Sequence, residues 1–165
     1  MGATVLADWQ TFFTAQLGAA ATLLGLLFVS LSLNLQKILQ GSGLPNRALL
    51  ALSVFLCTLM VSSYVLIPAQ GETAVGWEIL CTGASFFAFG MVVEVRTLRF
   101  VPSAVRPNFI GNMIFLAAAL APYVIGGIIM VTGNADGLYW VAAAIIISFV
   151  KGIADSWVLL VEINR

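Results

Sequence analysis

Five runs of twenty or more predominantly apolar residues, separated by clusters of turn-forming residues, leave this chain few ways to fold. A helix of about 20 such residues crosses the roughly 30 Å hydrocarbon core of a bilayer, where each backbone polar group must be satisfied within its own segment. The runs cover residues 11–35, 48–67, 74–95, 109–131 and 138–161. Between them lie Gly41-Ser42-Gly43-Leu44-Pro45-Asn46, Pro68-Ala69-Gln70-Gly71, the stretch from Pro102 to Pro107, and Gly133-Asn134-Ala135-Asp136-Gly137, all rich in turn chemistry. The pattern predicts one all-α domain, an integral membrane bundle of five transmembrane helices, with short loops making successive helices antiparallel neighbours. Composition agrees: 61% of residues are apolar and 8% charged, with a mean hydropathy of +1.07, whereas an ordinary soluble domain carries about 25% charged residues.

Charge placement predicts the orientation, because Lys and Arg flanking spans stay on the cytoplasmic side. Lys37 and Arg47 fall in the first loop, Arg96, Arg99 and Arg106 around the third, and Arg165 at the C-terminus, while the other segments carry Asp8, Glu72, Glu78 and Asp136. The N-terminus is therefore expected outside and the C-terminus in the cytoplasm, as in a multi-pass protein of a bacterial inner membrane. Trp9, Trp77, Tyr139 and Trp140 fall at the outer helix ends, where an interfacial aromatic belt belongs. Residues 1–8 lack a basic n-region, so the first span is expected to remain in the bilayer rather than be cleaved. Leu6 stands where N-myristoylation prefers Ser or Thr. Asp8, Thr73 and Asp136 are expected to cap helices. Cys57 and Cys81 read as packing groups at differing depths rather than as a disulfide.

Helices in lipid associate through small residues and polar contacts. Gly18 to Thr22 and Ala21 to Gly25 on the first span, Ala118, Pro122 and Gly126 on the fourth, and Gly83, Phe87, Gly90, Glu94 and Thr97 on the third mark such faces. Pro122 is expected to bend the fourth helix.

Ionisable residues inside the spans carry the functional expectation, since each costs about 3 kcal/mol at a helix centre on insertion scales. Lys151 and Asp155 stand one turn apart, and with Ser148 and Glu162 they share one stripe of the fifth helix. Ser30, Asn34 and Lys37 form another on the first; Glu94 precedes Arg96 and Arg99 on the third; Asn108 and Asn112 lie one turn apart on the fourth. The outer halves hold little besides Gln16, Ser62, Ser63, Thr82 and Glu78. Asn34, Glu94, Ser148, Lys151 and Asp155 thus outline an ion or proton pathway opening from a polar cavity in the cytoplasmic half. Each has a plainer reading: Lys37, Glu94, Arg96, Arg99 and Glu162 snorkel to the surface, Asn34 and Asn112 bond across helices, and Lys151 with Asp155 locks helix register.

Enzymatic readings find little support. Histidine is absent, and seven basic residues balance seven acidic ones, so the common metal ligand and triad base are missing and no net charge draws nucleic acid. GxGxxG, Walker, CxxC and HExxH motifs are absent as well. Ser148 and Lys151 could form a dyad only with a neutral lysine, which Asp155 opposes. No enzyme, metal or cofactor is expected; the expected partners are the lipid bilayer, further copies of the chain, or another membrane protein whose docking the small-residue faces would serve.

Trp9, Phe12, Phe13 and the run from Leu17 to Leu35, together with Leu44-Pro45-Asn46-Arg47-Ala48, Leu66-Ile67-Pro68-Ala69-Gln70 and Trp157-Val158-Leu159-Leu160-Val161-Glu162, resemble a family of small bacterial multi-span proteins. Members of that family are sometimes labelled modulators of the FtsH-type membrane protease, and they usually have seven spans where this chain shows five. The resemblance implies membrane residence and an accessory role; it assigns no site residue.

Overall fold

A computed structural model describes residues 2–40, 43–100 and 106–163. Gly41, Ser42, Pro102 and Arg165 lie outside the described residues, as do the side chains of Pro107, Asn108 and Glu162. Among the described residues six helices follow one another: α1 Gly2–Leu33, α2 Leu35–Gln40, α3 Leu44–Val65, α4 Glu72–Phe100, α5 Arg106–Val131 and α6 Gly137–Ile163. No strand occurs among the described residues. Five helices are long and apolar enough to cross a membrane, over Asp8–Leu33, Leu44–Val65, Glu72–Arg99, Phe109–Val131 and Gly137–Val161, matching the expected spans within a few residues at most ends.

The differences have local causes. Gly43 adopts a left-handed conformation with φ 89° and Pro45 occupies the first turn of α3, so the helix starts ahead of the apolar run, where a ring-locked φ suits it. Asp8 lies within α1 and Thr73 within α4, so neither is a cap. In α4 the turn opens earlier, with the Val75 N–H donating to the Gly71 carbonyl at 3.1 Å. Asp136 does directly precede α6, and its carbonyl accepts from the Tyr139 N–H. At the end of α1 the Asn34 side chain donates to the Ser30 carbonyl at 3.0 Å, closing its own helix instead of bridging to another. The chain then continues as the short α2, whose Ile38 is buried with Leu44, Ala48 and Leu159.

Helices α3, α4, α5 and α6 form a ring in chain order, each packing on its neighbours, with α6 returning to α3; α1 lies outside and leans on α3. The main core fills the ring with Val54, Val61, Ile79, Leu116, Leu120, Tyr123 and Ile145, and Phe13 enters it from α1. Antiparallel packing gathers Lys37, Arg47, Arg96, Arg99 and Arg106 at one end of the bundle, called here the basic end, and Asp8, Glu72, Glu78 and Asp136 at the other, the acidic end. At the acidic end Trp9 packs edge-on against Tyr139 with ring centroids 5.0 Å apart, tying α1 to α6.

The closest seam joins α4 to α5, and glycine creates it. Gly76, Gly83 and Gly90 recur every seven residues and face Met130, Tyr123 and Leu116, which recur every seven in the opposite direction. A Cβ on Gly83 would stand 2.8 Å from the Tyr123 Cβ, and one on Gly127 would stand 2.7 Å from the Leu80 Cα. Of the small-residue faces expected from sequence, this one and Gly126, which abuts Gly137, are packed. On α1, by contrast, nothing lies within 4 Å of a Cβ built on Gly18 or Gly25, because the helix touches the ring along its other face. Pro122 sits inside α5, which continues on both sides of it. Both cysteines are free: Cys57 is buried as expected, whereas Cys81 is exposed on the outward face of α4 and packs nothing into the core.

These approaches predict opposite outcomes for one substitution at two kinds of site. Gly127→Ala, which meets backbone that cannot yield, should destabilise the purified protein by about 1–3 kcal/mol, while Gly25→Ala should leave stability unchanged or raise it slightly. Unfolding in mixed detergent micelles followed by tryptophan fluorescence measures both; equal effects would contradict the seam.

A buried charge cluster as candidate functional site

Four charged side chains converge inside the ring near the basic end. Lys151 and Asp155, one helical turn apart on α6, turn inward and are 0% and 2% exposed. The Lys151 ammonium donates to Asp155 Oδ2, and Asp155 Oδ1 lies 3.6 Å from Nε of Arg47, from the first turn of α3. Asp155 is thus shared by two cations from different helices. The Arg47 side chain, 29% exposed, leads from this carboxylate toward the surface. Lys151 Nζ also lies 5.8 Å from the centre of the Phe115 ring on α5, a weak cation–π contact that covers the remaining face of the ammonium.

Glu94 supplies the fourth charge. It is 2% exposed, its Oε1 accepts a hydrogen bond from the Asn112 amide of α5, and it lies within electrostatic reach of Lys151, Asp155 and Arg47. The reading in which Glu94 snorkels to the surface is therefore corrected: α4 continues beyond it for six residues, to Phe100, and the carboxylate points into the ring. Asn112 bonds across helices as expected, and a second cross-helix bond, from Asn46 on α3 to the Thr97 hydroxyl at 2.9 Å, clasps the same end. Two cations and two carboxylates balance, which is how a bundle can hold four charges away from water.

A neutral polar layer adjoins the cluster toward the acidic end. Ser148, one turn before Lys151, is fully buried and its hydroxyl lies 3.4 Å from the Ala119 carbonyl. The Tyr123 hydroxyl shares a 2.9 Å hydrogen bond with Thr58. Further along, the Thr82 hydroxyl donates to the Tyr64 hydroxyl at 3.2 Å. Among the described residues no group of three His, Cys, Asp or Glu side chains is arranged to hold a metal ion.

Of the five residues expected to line a pathway, Glu94, Ser148, Lys151 and Asp155 meet in the ring; Asn34 stays on the outer helix, bonded to its own backbone. Three further participants escaped sequence reasoning. Arg47 reads as a loop cation because its helix begins four residues before the apolar run. Tyr123 and Thr58 read as ordinary span residues, and only their facing positions on α5 and α3 reveal the bond.

Two grooves among the described residues lie elsewhere. A groove of about 800 Å³ runs between α1, α3 and α4, lined by Gly25, Phe28, Leu56, Phe86 and Phe89, and a smaller one of about 280 Å³ between α1, α3 and α6 is lined by Leu27, Phe55 and Trp157.

Fold and site together define a helical bundle with five membrane-spanning-type helices and a charge-compensated interior. Comparison with protein families, with curated proteins and with solved structures finds no match to this chain.

Removing one member of the cluster strands the others. Asp155→Leu should destabilise the bundle by about 3–5 kcal/mol, because Lys151 is left charged and unpaired in the ring, while adding Lys151→Met should restore more than half of the loss. The same micelle unfolding assay reads both; a double variant less stable than the single one would show that the pair is not coupled in this way.

Proposed function

We propose that this protein is a multi-pass inner-membrane protein, N-terminus outside and C-terminus cytoplasmic, that passes an ion or proton through the interior of its helical ring. The single observation carrying this reading is the position of Lys151, Asp155 and Glu94: inside the ring, away from lipid, and linked to the basic end by the half-exposed Arg47. Ionisable groups at such depth are costly, and the usual compensation for the cost is a transport or relay role. Arg47 supplies the cytoplasmic approach and Asp155 the exchange point, since a carboxylate held between two cations can change partners without leaving the ring uncompensated.

Flux measurement tests it. Purified protein in liposomes should carry an ion or proton current above that of empty vesicles, and Asp155→Asn, in protein verified as folded, should reduce it severalfold; flux no higher than in empty vesicles, or unaffected by the substitution, would defeat the proposal.

A second reading, an accessory subunit that docks another membrane protein or further copies of itself, is favoured by the α1 face on which Gly18 and Gly25 meet nothing within 4 Å. The resemblance to protease modulators points the same way. Gly18→Ile with Gly25→Ile should leave the isolated protein folded yet lower the mass of its complex in native membrane extracts; a wild type migrating as a lone monomer would exclude this reading.

A further inference from the structure

The groups in the ring extend beyond the charge cluster. Lys151, Ser148, Tyr123, Thr58 and Ser62 are each fully buried and come from α6, α5 and α3, all facing the space the four helices enclose. From Lys151 the line steps one turn to Ser148 on α6, and across the ring the Tyr123 hydroxyl lies 2.9 Å from the Thr58 hydroxyl. Ser62 stands one turn beyond Thr58 on α3, and its buried hydroxyl has no partner. Beyond it the Tyr64 and Thr82 hydroxyls bond to each other. One turn past Thr82 on α4 is Glu78, whose Oε2 is buried without a partner. Glu78 and Glu94 are sixteen residues apart on one helix, about 24 Å at 1.5 Å per residue, most of the thickness of a hydrocarbon core.

We infer that this line of hydroxyls is a proton relay joining the buried charge cluster to the acidic end of the bundle, so that the species carried is the proton rather than a hydrated metal ion. The inference rests on the proposed transport reading and names its substrate. Three features select the proton. The links are hydroxyls, each able to accept on a lone pair and donate its own hydrogen. Apolar side chains, Val54, Val61, Leu120 and Ile145 among them, pack around them, a lining that suits a proton better than an ion with its water shell. Carboxylates stand toward both ends, Glu78 at one and Asp155 with Glu94 at the other. In each hop between hydroxyls one O–H bond forms on the receiving oxygen while that oxygen's original O–H breaks toward the next acceptor; at Lys151 an N–H bond breaks toward Ser148 and is replaced by a proton from protonated Asp155, so the ammonium is restored. A carboxylic acid gives up the proton at one end, a carboxylate receives it at the other, and the hydroxyls return to their starting composition once they reorient. The transmembrane proton gradient supplies the driving force.

Tyr123 and Thr58 are the positions to test, because their mutual bond is the central link and neither carries a charge whose loss would unbalance the cluster. The full-length protein is reconstituted in vesicles containing a pH-sensitive dye, a potassium diffusion potential is imposed with valinomycin, and proton, sodium and chloride fluxes are compared. Wild type should move protons selectively and about twofold more slowly in D₂O, as expected when an O–H bond breaks in the limiting step. Tyr123→Phe and Thr58→Val, which keep the ring and the branched shape, should each lower proton flux by about tenfold or more, whereas Thr58→Ser, which keeps the hydroxyl, should stay within about twofold of wild type. Circular dichroism and size-exclusion profiles identify variants that fold, and the valine and serine replacements at Thr58 decide the matter if Tyr123→Phe does not. Sodium or chloride flux without proton flux, or proton flux unchanged by removal of the hydroxyls, overturns the relay and leaves the transport reading standing; absence of all flux in wild type overturns both.

Discussion

The ion pair between Lys151 and Asp155 sets the terms for the rest of the bundle. In a lipid environment neither residue can be left alone, because an unpaired ammonium or carboxylate in hydrocarbon costs several kcal/mol. Their i,i+4 spacing lets one helix neutralise itself, yet an exposed pair on α6 would still face acyl chains. The ring solves this by turning the pair inward, where Arg47 from α3 and Phe115 from α5 close around it. Three helices are thereby fixed in rotation by one contact set. Glu94, held by Asn112, brings α4 into the same arrangement, so every helix of the ring contributes a side chain to this polar end.

Shape supplies the remaining specificity. Hydrophobic burial does not drive helices together in lipid, and close approach of backbones takes its place. The α4–α5 seam shows how: three glycines at heptad spacing receive three large side chains running the other way, and Gly127 receives the backbone of α4. Tyr123 belongs to both systems. Its ring packs on Gly83, and its hydroxyl reaches Thr58, so the absence of a side chain at position 83 is what brings a phenol to the centre of the ring. Gly152 acts similarly between α6 and α3, where a Cβ would stand 2.4 Å from the Phe55 ring. That fit sets α6 close to α3 one residue from Lys151, and it places the ammonium within the ring.

Much of this was legible in the sequence because bilayer thickness translates directly into run length. Five spans and their approximate limits follow from hydropathy, and the inward stripe of Ser148, Lys151 and Asp155 follows from helical periodicity together with the cost of charge in lipid. What periodicity lacks is the identity of a partner on another helix. Arg47 reads as a positive-inside marker, while Glu94 and Asn34 read either as pathway residues or as a snorkelling acid and a cross-helix bond; their true partners depend on how far each helix extends past its apolar run. Tyr123 and Thr58 are weak polar signals singly and become informative only when α5 and α3 face each other. The heptad of glycines was half visible, with Gly83 and Gly90 apparent and Gly76 masked by the polar residues that surround the start of α4.

The separation of α1 from the ring carries a mechanical consequence. Helices α3 to α6 satisfy their charges and glycine contacts among themselves. The links of α1 to the rest are apolar packing around Leu27 and Phe55, Phe13 inserted into the main core, and aromatic contacts at the acidic end such as Trp9 on Tyr139. At the basic end Ile38 of α2 packs with Leu44 and Ala48 of α3, whose first turn carries Arg47. A helix seated in the groove beside Gly25 would press on α1, which in turn abuts α3. Docking on α1 and the transport proposed for the ring are therefore compatible readings of one geometry.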